Sequence, residues 1–188
     1  MSPAPRTTPS PRRDEIVAVA GRLLDAQGPD GVSMRNIAAE LGIKAPSLYK
    51  HVSDKAELEL ALIADGLAET AEVHAAAIDG SADPLADLAR AYRGWALDHP
   101  HRYRLMTERP LPRAELPAGL EARAAAPVIA ACGGDPDRAR AAWAFAHGMV
   151  MLELADRFPP DADLDAAWAA GVDALRPPAR RGRRTAGH

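Results

Sequence analysis

GVSMRNIAAELGIKAPSLYKHVSDKAEL, residues 31–58, divides itself into short helices by its own punctuation. Ser33 is a good N-cap, Ile37 and Leu41 stack at i, i+4, and Gly42 stands where a helix C-terminus favours a left-handed residue. The helix so bounded has about two turns. After Ile43 and Lys44, Pro46 suits the first turn of a second short helix, in which Leu48 and Val52 form another i, i+4 apolar pair. Ser53 or Asp54 then caps a long helix, with Glu57 placed for a capping box to Asp54. Leu58, Leu62, Ile63 and Leu67 carry its apolar surface, and the pattern runs to Ala77. Upstream, Ile16, Ala20, Leu23, Leu24 and Gln27 follow one face of a helix that the run from Gly28 to Gly31 ends.

Two short helices around Gly42, the second opened by a proline and studded with polar residues, form the pattern of a helix-turn-helix. Ile37 and Leu41 anchor the first, small Ala38 allows close approach, and Leu48 with Val52 buries the inner face of the second. Ala45, Pro46, Ser47, Tyr49, Lys50 and His51 are left at its outer face or edges, where such a motif meets a major groove.

The rest of the chain agrees with an all-α fold. It has 188 residues, 47% hydrophobic but 4% aromatic, with about one alanine in five and no alternating runs of Val and Ile, so a sheet is poorly supported. Breaks at Asp83-Pro84, His99-Pro100, Pro110 to Pro117, Gly133 to Pro136 and Pro159-Pro160 cut the remainder into five further segments, for about nine helices in all. The segment from Arg138 to Arg157 is apolar nearly all round and is expected to be buried on more than one side. The last helix carries the stripe Leu164, Trp168, Val172 and Leu175, and a second copy of these two helices is the expected cover for both. Residues 1–11, with four prolines, are expected to be a disordered arm, and residues 177–188 a basic disordered tail.

Net charge is −3, unevenly spread: residues 1–55 carry 8 basic and 6 acidic side chains, residues 56–175 carry 10 and 20, and residues 176–188 carry 5 and none. A mildly basic front on an acidic body fits a chain of which one small part approaches a polyanion. The single cysteine, Cys132, excludes an internal disulfide framework and a Cys-rich zinc module. No apolar run reaches the ~20 residues of a membrane span, and no apolar stretch follows Arg6, Arg12 and Arg13, so a soluble, cytoplasmic protein is expected.

Ile37-Ala38, Leu41-Gly42-Ile43, Pro46-Ser47-Leu48-Tyr49, His51-Val52 and Lys55 together make residues 31–58 closely resemble the DNA-binding domain of the TetR family of transcriptional regulators. The resemblance implies that Pro46 and Lys50 meet base edges, that Ser47, Tyr49 and His51 lie near phosphates, and that Lys55 pairs with a phosphate. Arg35 is a further phosphate candidate. Ala45 departs from the polar residues often found at its position, which leaves base readout to Lys44 or Lys50. Taken singly, Tyr49 also fits inner packing and His51 a satisfied core histidine; the set as spaced points to DNA.

A second likeness covers most of the chain from Asp83. Trp95 through Met106, and Trp143-Ala-Phe-Ala-His147-Gly148 with its continuation to Glu153, are similar to the C-terminal domain of the WHG subgroup of that family. That likeness implies a homodimer interface and a cavity for a small-molecule inducer. Trp95, Tyr103, Met106, His147 and Met151 are the candidate effector contacts. A histidine and a glycine inside an apolar helix each carry a cost, and His147-Gly148 answers equally to a ligand role and to dimer packing.

Residues 12–55 are thus expected to form the helix-turn-helix domain and residues 56–176 a helical effector-binding and dimerisation domain. An enzyme is excluded on residue grounds: the acidic body has one serine, Ser81, and one cysteine, each beside a helix boundary without His and carboxylate partners. His99 and His101 are the nearest approach to a metal pair, and no metal, cofactor or membrane partner is expected. The expected function is a dimeric, ligand-responsive repressor on a palindromic double-stranded operator, and the alternative is a constitutive DNA-binding protein.

Overall fold

The structure, a computed structural model, describes residues 11–178. Residues 1–10 and 179–188, which hold most of the expected arm and tail, lie outside them. The helices are α1 (Pro11–Gln27), α2 (Met34–Glu40), α3 (Lys55–Ile78), α4 (Pro84–Asp98), α5 (Pro100–Thr107), α6 (Leu120–Ala131), α7 (Pro136–Leu154) and α8 (Leu164–Ala174). Pro29–Gly31 and Ala45–Lys50 are 3-10 turns, and there is no strand among the described residues. Nor, among them, is any helix long and apolar enough to cross a membrane.

Local chemistry sets each boundary around the motif. The Ser33 hydroxyl accepts the Asn36 N–H at 3.1 Å and opens α2. Gly42, at φ 64°, closes it: its N–H donates to Ala39 O at 3.1 Å and the Ile43 N–H to Ala38 O at 2.9 Å, the paired bonds of a Schellman stop. The second short helix is 3-10 rather than α-helical. It has six residues behind an extended Lys44, and in so short a run the tighter i→i+3 bonds suffice, from Ser47 N–H to Lys44 O at 2.9 Å and from His51 N–H to Leu48 O at 2.8 Å.

At the start of α3 the Asp54 carboxylate accepts the Glu57 N–H at 2.9 Å. The Glu57 side chain returns to Ser53, accepting its N–H at 2.8 Å and its hydroxyl at 2.9 Å, so the box closes on Ser53 and not on Asp54. Arg13 of α1 lies 3.2 Å from the same carboxylate. The Ser53 N–H above all, with its hydroxyl and Arg13, holds the Glu57 carboxyl below its ordinary 4.5. A carboxyl lowered on folding stabilises the fold above that ordinary value and ceases to do so as pH falls through the folded one. Asp54→Ala is expected to cost about 1 kcal/mol, and Glu57→Gln to flatten the decline of the urea midpoint below pH 4.5. A Glu57→Gln curve parallel to the parent's would contradict the cap.

The described chain divides into two compact units. The first runs through Glu72 and adds Gly94–Ala124, so α5 belongs with the helix-turn-helix. Its core joins Ile16, Ala20 and Leu24 of α1 to Ile37, Leu48, Val52, Leu58 and Leu62, with Leu105 of α5 packed against them; Gln27, by contrast, is exposed. Arg102 of α5 ties the layers together, 2.6 Å from Asp25 of α1 and 2.9 Å from Glu69 of α3.

The second unit holds Val73–Arg93 and everything described from Ala125 onward. Its core is Leu85, Leu88, Cys132, Ala139, Ala142 and Val172. A polar knot crosses three of its helices: Arg93 of α4 gives two bonds to one Glu153 oxygen of α7, at 3.0 and 2.8 Å, and Trp168 Nε1 of α8 donates to the other at 2.6 Å. Within this unit α7 buries one stripe, Ala139, Ala142, Ala146 and Val150. Trp143 and Leu152 face outward, 51% and 43% exposed, because α7 meets its own unit along one side only.

Candidate nucleic-acid interface

Leu48 and Val52, 0% and 1% exposed, fix the recognition segment Ala45–Lys50 on the core of the first unit. Its other face is open. Lys44, Pro46, Ser47, Tyr49 and Lys50 are exposed, as are Arg35 at the start of α2 and Lys55 at the start of α3. Ala45 and His51 are half-buried, and Ala45 packs against the core, where a longer polar side chain would have to turn outward. Lys55 Nζ lies 3.6 Å from half-buried Glu59, which Arg109 also meets at 3.1 Å. The nine expected contact residues therefore share one unit, and the basic ones among them stand at its surface.

The five expected effector contacts do not share a unit. Trp95, Tyr103 and Met106 belong to the first and His147 and Met151 to the second. Trp95 and Tyr103 are buried, at 7% and 3% exposed. Trp95 stacks on His99 with ring centres 5.0 Å apart, and its Nε1 finds no partner among the described residues. Met106 is half-buried with its sulfur against Gly66. His147 and Met151 are half-buried on α7, with Trp143 stacked on His147 at 5.9 Å.

The second unit holds a small cavity of about 30 Å³. Leu85, Leu88, Tyr92, Val128, Trp143 and Phe145 are among its lining residues, and none of the five expected contacts is. His74 of α3 is 5% exposed and stacks on Tyr92 at 5.6 Å. Burial drives its imidazole pKa down to about 4. Sequence reading passed over His74, although the spacing of Ile63, Leu67, Thr70 and His74 continues the buried face of the long helix. Ser81 and Cys132 take structural places: the Ser81 hydroxyl donates to Asp87 at 2.5 Å near the start of α4, and Cys132 is buried in the core.

An anchored helix-turn-helix with an open polar and basic face defines a DNA-binding protein. The family model for bacterial regulatory proteins of the tetR family matches residues 16–62, and the tetracyclin repressor-like C-terminal domain matches residues 85–175. Rv0681, an HTH-type transcriptional regulator of Mycobacterium tuberculosis, is 36% identical over 185 residues, covering 92% of this chain and 83% of that protein. Among solved structures, SCO4313, assigned as a regulatory protein, is 30% identical with a TM-score of 0.71 over 89% of this chain and 98% of that one. The multidrug binding protein EbrR, complexed with imidazole, is 28% identical with a TM-score of 0.65 over 92% and 99%. The chain belongs to the tetR family: it is a bacterial transcriptional regulator of the helix-turn-helix type, not an enzyme.

Proposed function

We propose that this regulator is a homodimeric repressor, held on a palindromic operator by the segment from Lys44 to Lys55 and released when a small molecule binds its C-terminal helices. The observation that carries the reading is the open face of Pro46, Ser47, Tyr49 and Lys50 above the fully buried Leu48, coupled to an acidic helical body that DNA binding alone does not need. In this reading residues 12–55 bind DNA in the cytoplasm, and residues 56–176 bind effector and partner. The outward Trp143 and Leu152 of α7, the exposed Ala166, Ala169 and Ala170 of α8, and open space at Gly148 support a second copy as cover. The multidrug binding assigned to EbrR supports a small-molecule effector.

Two recognition segments in such a dimer must sit about one helical turn of DNA apart, or a multiple of it. An effector releases the protein to the extent that it prefers the arrangement with another spacing. Phosphate contacts position and base contacts specify. Tyr49→Ala or Lys55→Ala is therefore expected to weaken binding to all sequences, while Lys50→Ala changes the order of preference among operator variants by about 1–3 kcal/mol per altered base pair. Binding isotherms on an operator library check this; an equal loss on every sequence for Lys50→Ala contradicts it. The reading as a whole is tested by a reporter driven from the promoter upstream of the protein's own gene. Expression is expected to rise on deleting the regulator and on adding the effector. A reporter that responds to deletion but to no compound favours the constitutive alternative.

A further inference from the structure

Lys55 is the first residue of α3 and stands exposed. A cation at a helix N-terminus opposes the helix dipole, and a lysine four residues before a glutamate is the less favourable order of an i, i+4 pair. Lys55 is therefore poorly placed to stabilise α3 itself. Of the acids near it, Glu57 is committed to Ser53 and Arg13. Glu59, one turn on, faces two cations. Its Oε2 accepts a hydrogen bond from Arg109 at 3.1 Å, while Lys55 Nζ stands 3.6 Å from Oε1, outside hydrogen-bond distance. Arg109 is exposed and follows the end of α5. Arg102, within α5, meets Glu69 at 2.9 Å, about three turns further along α3. The stretch from Arg102 to Arg109 is thus tied to α3 at both ends, and all these residues belong to the first unit.

We propose that Glu59 sets how strongly the protein grips DNA by competing with a backbone phosphate for Lys55, and that Arg109 moderates this competition by holding the carboxylate. The inference rests on the reading above in which Lys55 meets a phosphate. While Glu59 is bonded to Arg109, it keeps the Lys55 ammonium near but gives it no hydrogen bond. A phosphate oxygen offers a charge-assisted one and wins the ammonium. Once Arg109 withdraws, the carboxylate is free to close on Lys55, and a phosphate has to displace a formed pair. A shift of the stretch after α5 is thereby felt at the DNA surface through one side chain. Any carboxylate near DNA repels it to some degree; what marks this role is that the effect of Glu59 depends on Lys55 and on Arg109.

Glu59→Gln keeps an oxygen for Arg109 and removes the charge. Gel shifts of the intact protein compare the DNA upstream of its own gene with scrambled DNA of the same length, at one stated low salt concentration. Glu59→Gln is expected to bind both about tenfold more tightly than the parent, about threefold for each of two protomers. A phosphate contact carries no sequence, so the gain is alike on the two DNAs. Arg109→Gln is expected to weaken binding by about the same factor, and by less than about twofold once Glu59→Gln is also present. In a Lys55→Gln background, Glu59→Gln is expected to gain less than about twofold. Arg109→Gln alters an exposed side chain and reads the competition from the other side, so the test stands even if Glu59→Gln folds poorly. A gain of equal size with and without Lys55 would make Glu59 a general repelling charge and overturn the inference; so would an Arg109→Gln loss undiminished beside Glu59→Gln. If Lys55→Gln weakens binding while Glu59→Gln does not strengthen it, the phosphate reading of Lys55 stands and this inference falls. If Lys55→Gln leaves binding to both DNAs unchanged, that reading falls and takes the inference with it.

Discussion

Glu153→Ala is expected to lower the stability of the protein by about 3 kcal/mol, a fall of roughly 10 °C in melting temperature for a chain of this size. The Glu153 side chain is 7% exposed and Arg93 is 24% exposed, so the substitution strands a guanidinium that is largely out of water. It also removes the acceptor of Trp168 Nε1. Asp165, 2.6 Å from the other arm of Arg93, offsets part of the loss, but it is almost fully exposed and well hydrated. Glu153→Gln, which keeps an oxygen for Trp168 and for Arg93, is expected to cost less than half as much. Because the knot joins α4, α7 and α8 and the last two carry the proposed dimer face, weaker self-association is expected to accompany the lost stability. Denaturant unfolding at fixed protein concentration reads the first effect and sedimentation the second. An unchanged unfolding midpoint for Glu153→Ala would show that the knot contributes nothing.

The second large effect is in pH. His74 titrates near 6.5 when unfolded and at about 4 when folded, because burial disfavours the imidazolium. The unfolded chain therefore takes up a proton that the folded one refuses. Stability is full above pH 6.5 and declines as pH drops toward 4, by about 3 kcal/mol over that window. Every other group is common to parent and variant, so the difference between the protein and His74→Phe isolates the effect. From pH 6.5 downward the parent is expected to lose stability relative to the variant, whatever their difference at neutral pH. Curves that stay parallel would mean that folding leaves the His74 pKa unshifted.

Much of the DNA-binding half was legible because its signals are local. Ser33, Gly42, Pro46 and Asp54 each act within four residues, and the structure uses them at the boundaries that spacing implied. That Ala45–Lys50 winds as 3-10 was not legible, because an apolar pair four apart, Leu48 and Val52, fits one α turn equally well whether or not the preceding residues wind more tightly. The polar interior of the second unit was not legible. Arg93 and Glu153 lie 60 residues apart, and nothing near either in the sequence marks the other. What covers the outer apolar face of α7 was not legible either, because periodicity reports which faces are apolar and not what packs on them.

We propose sequence-specific DNA binding through the open face of residues 44–55. Its most direct test is a gel shift of the purified protein on the DNA upstream of its own gene, against scrambled DNA of the same length, over a series of stated salt concentrations. The expected result is a discrete complex of two protomers per site that persists at salt where scrambled DNA is released, and that Tyr49→Ala weakens and Lys50→Ala redirects. Equal affinity for the two DNAs at every salt concentration, or a Tyr49→Ala, Lys50→Ala double variant that binds as well as the parent, would contradict it.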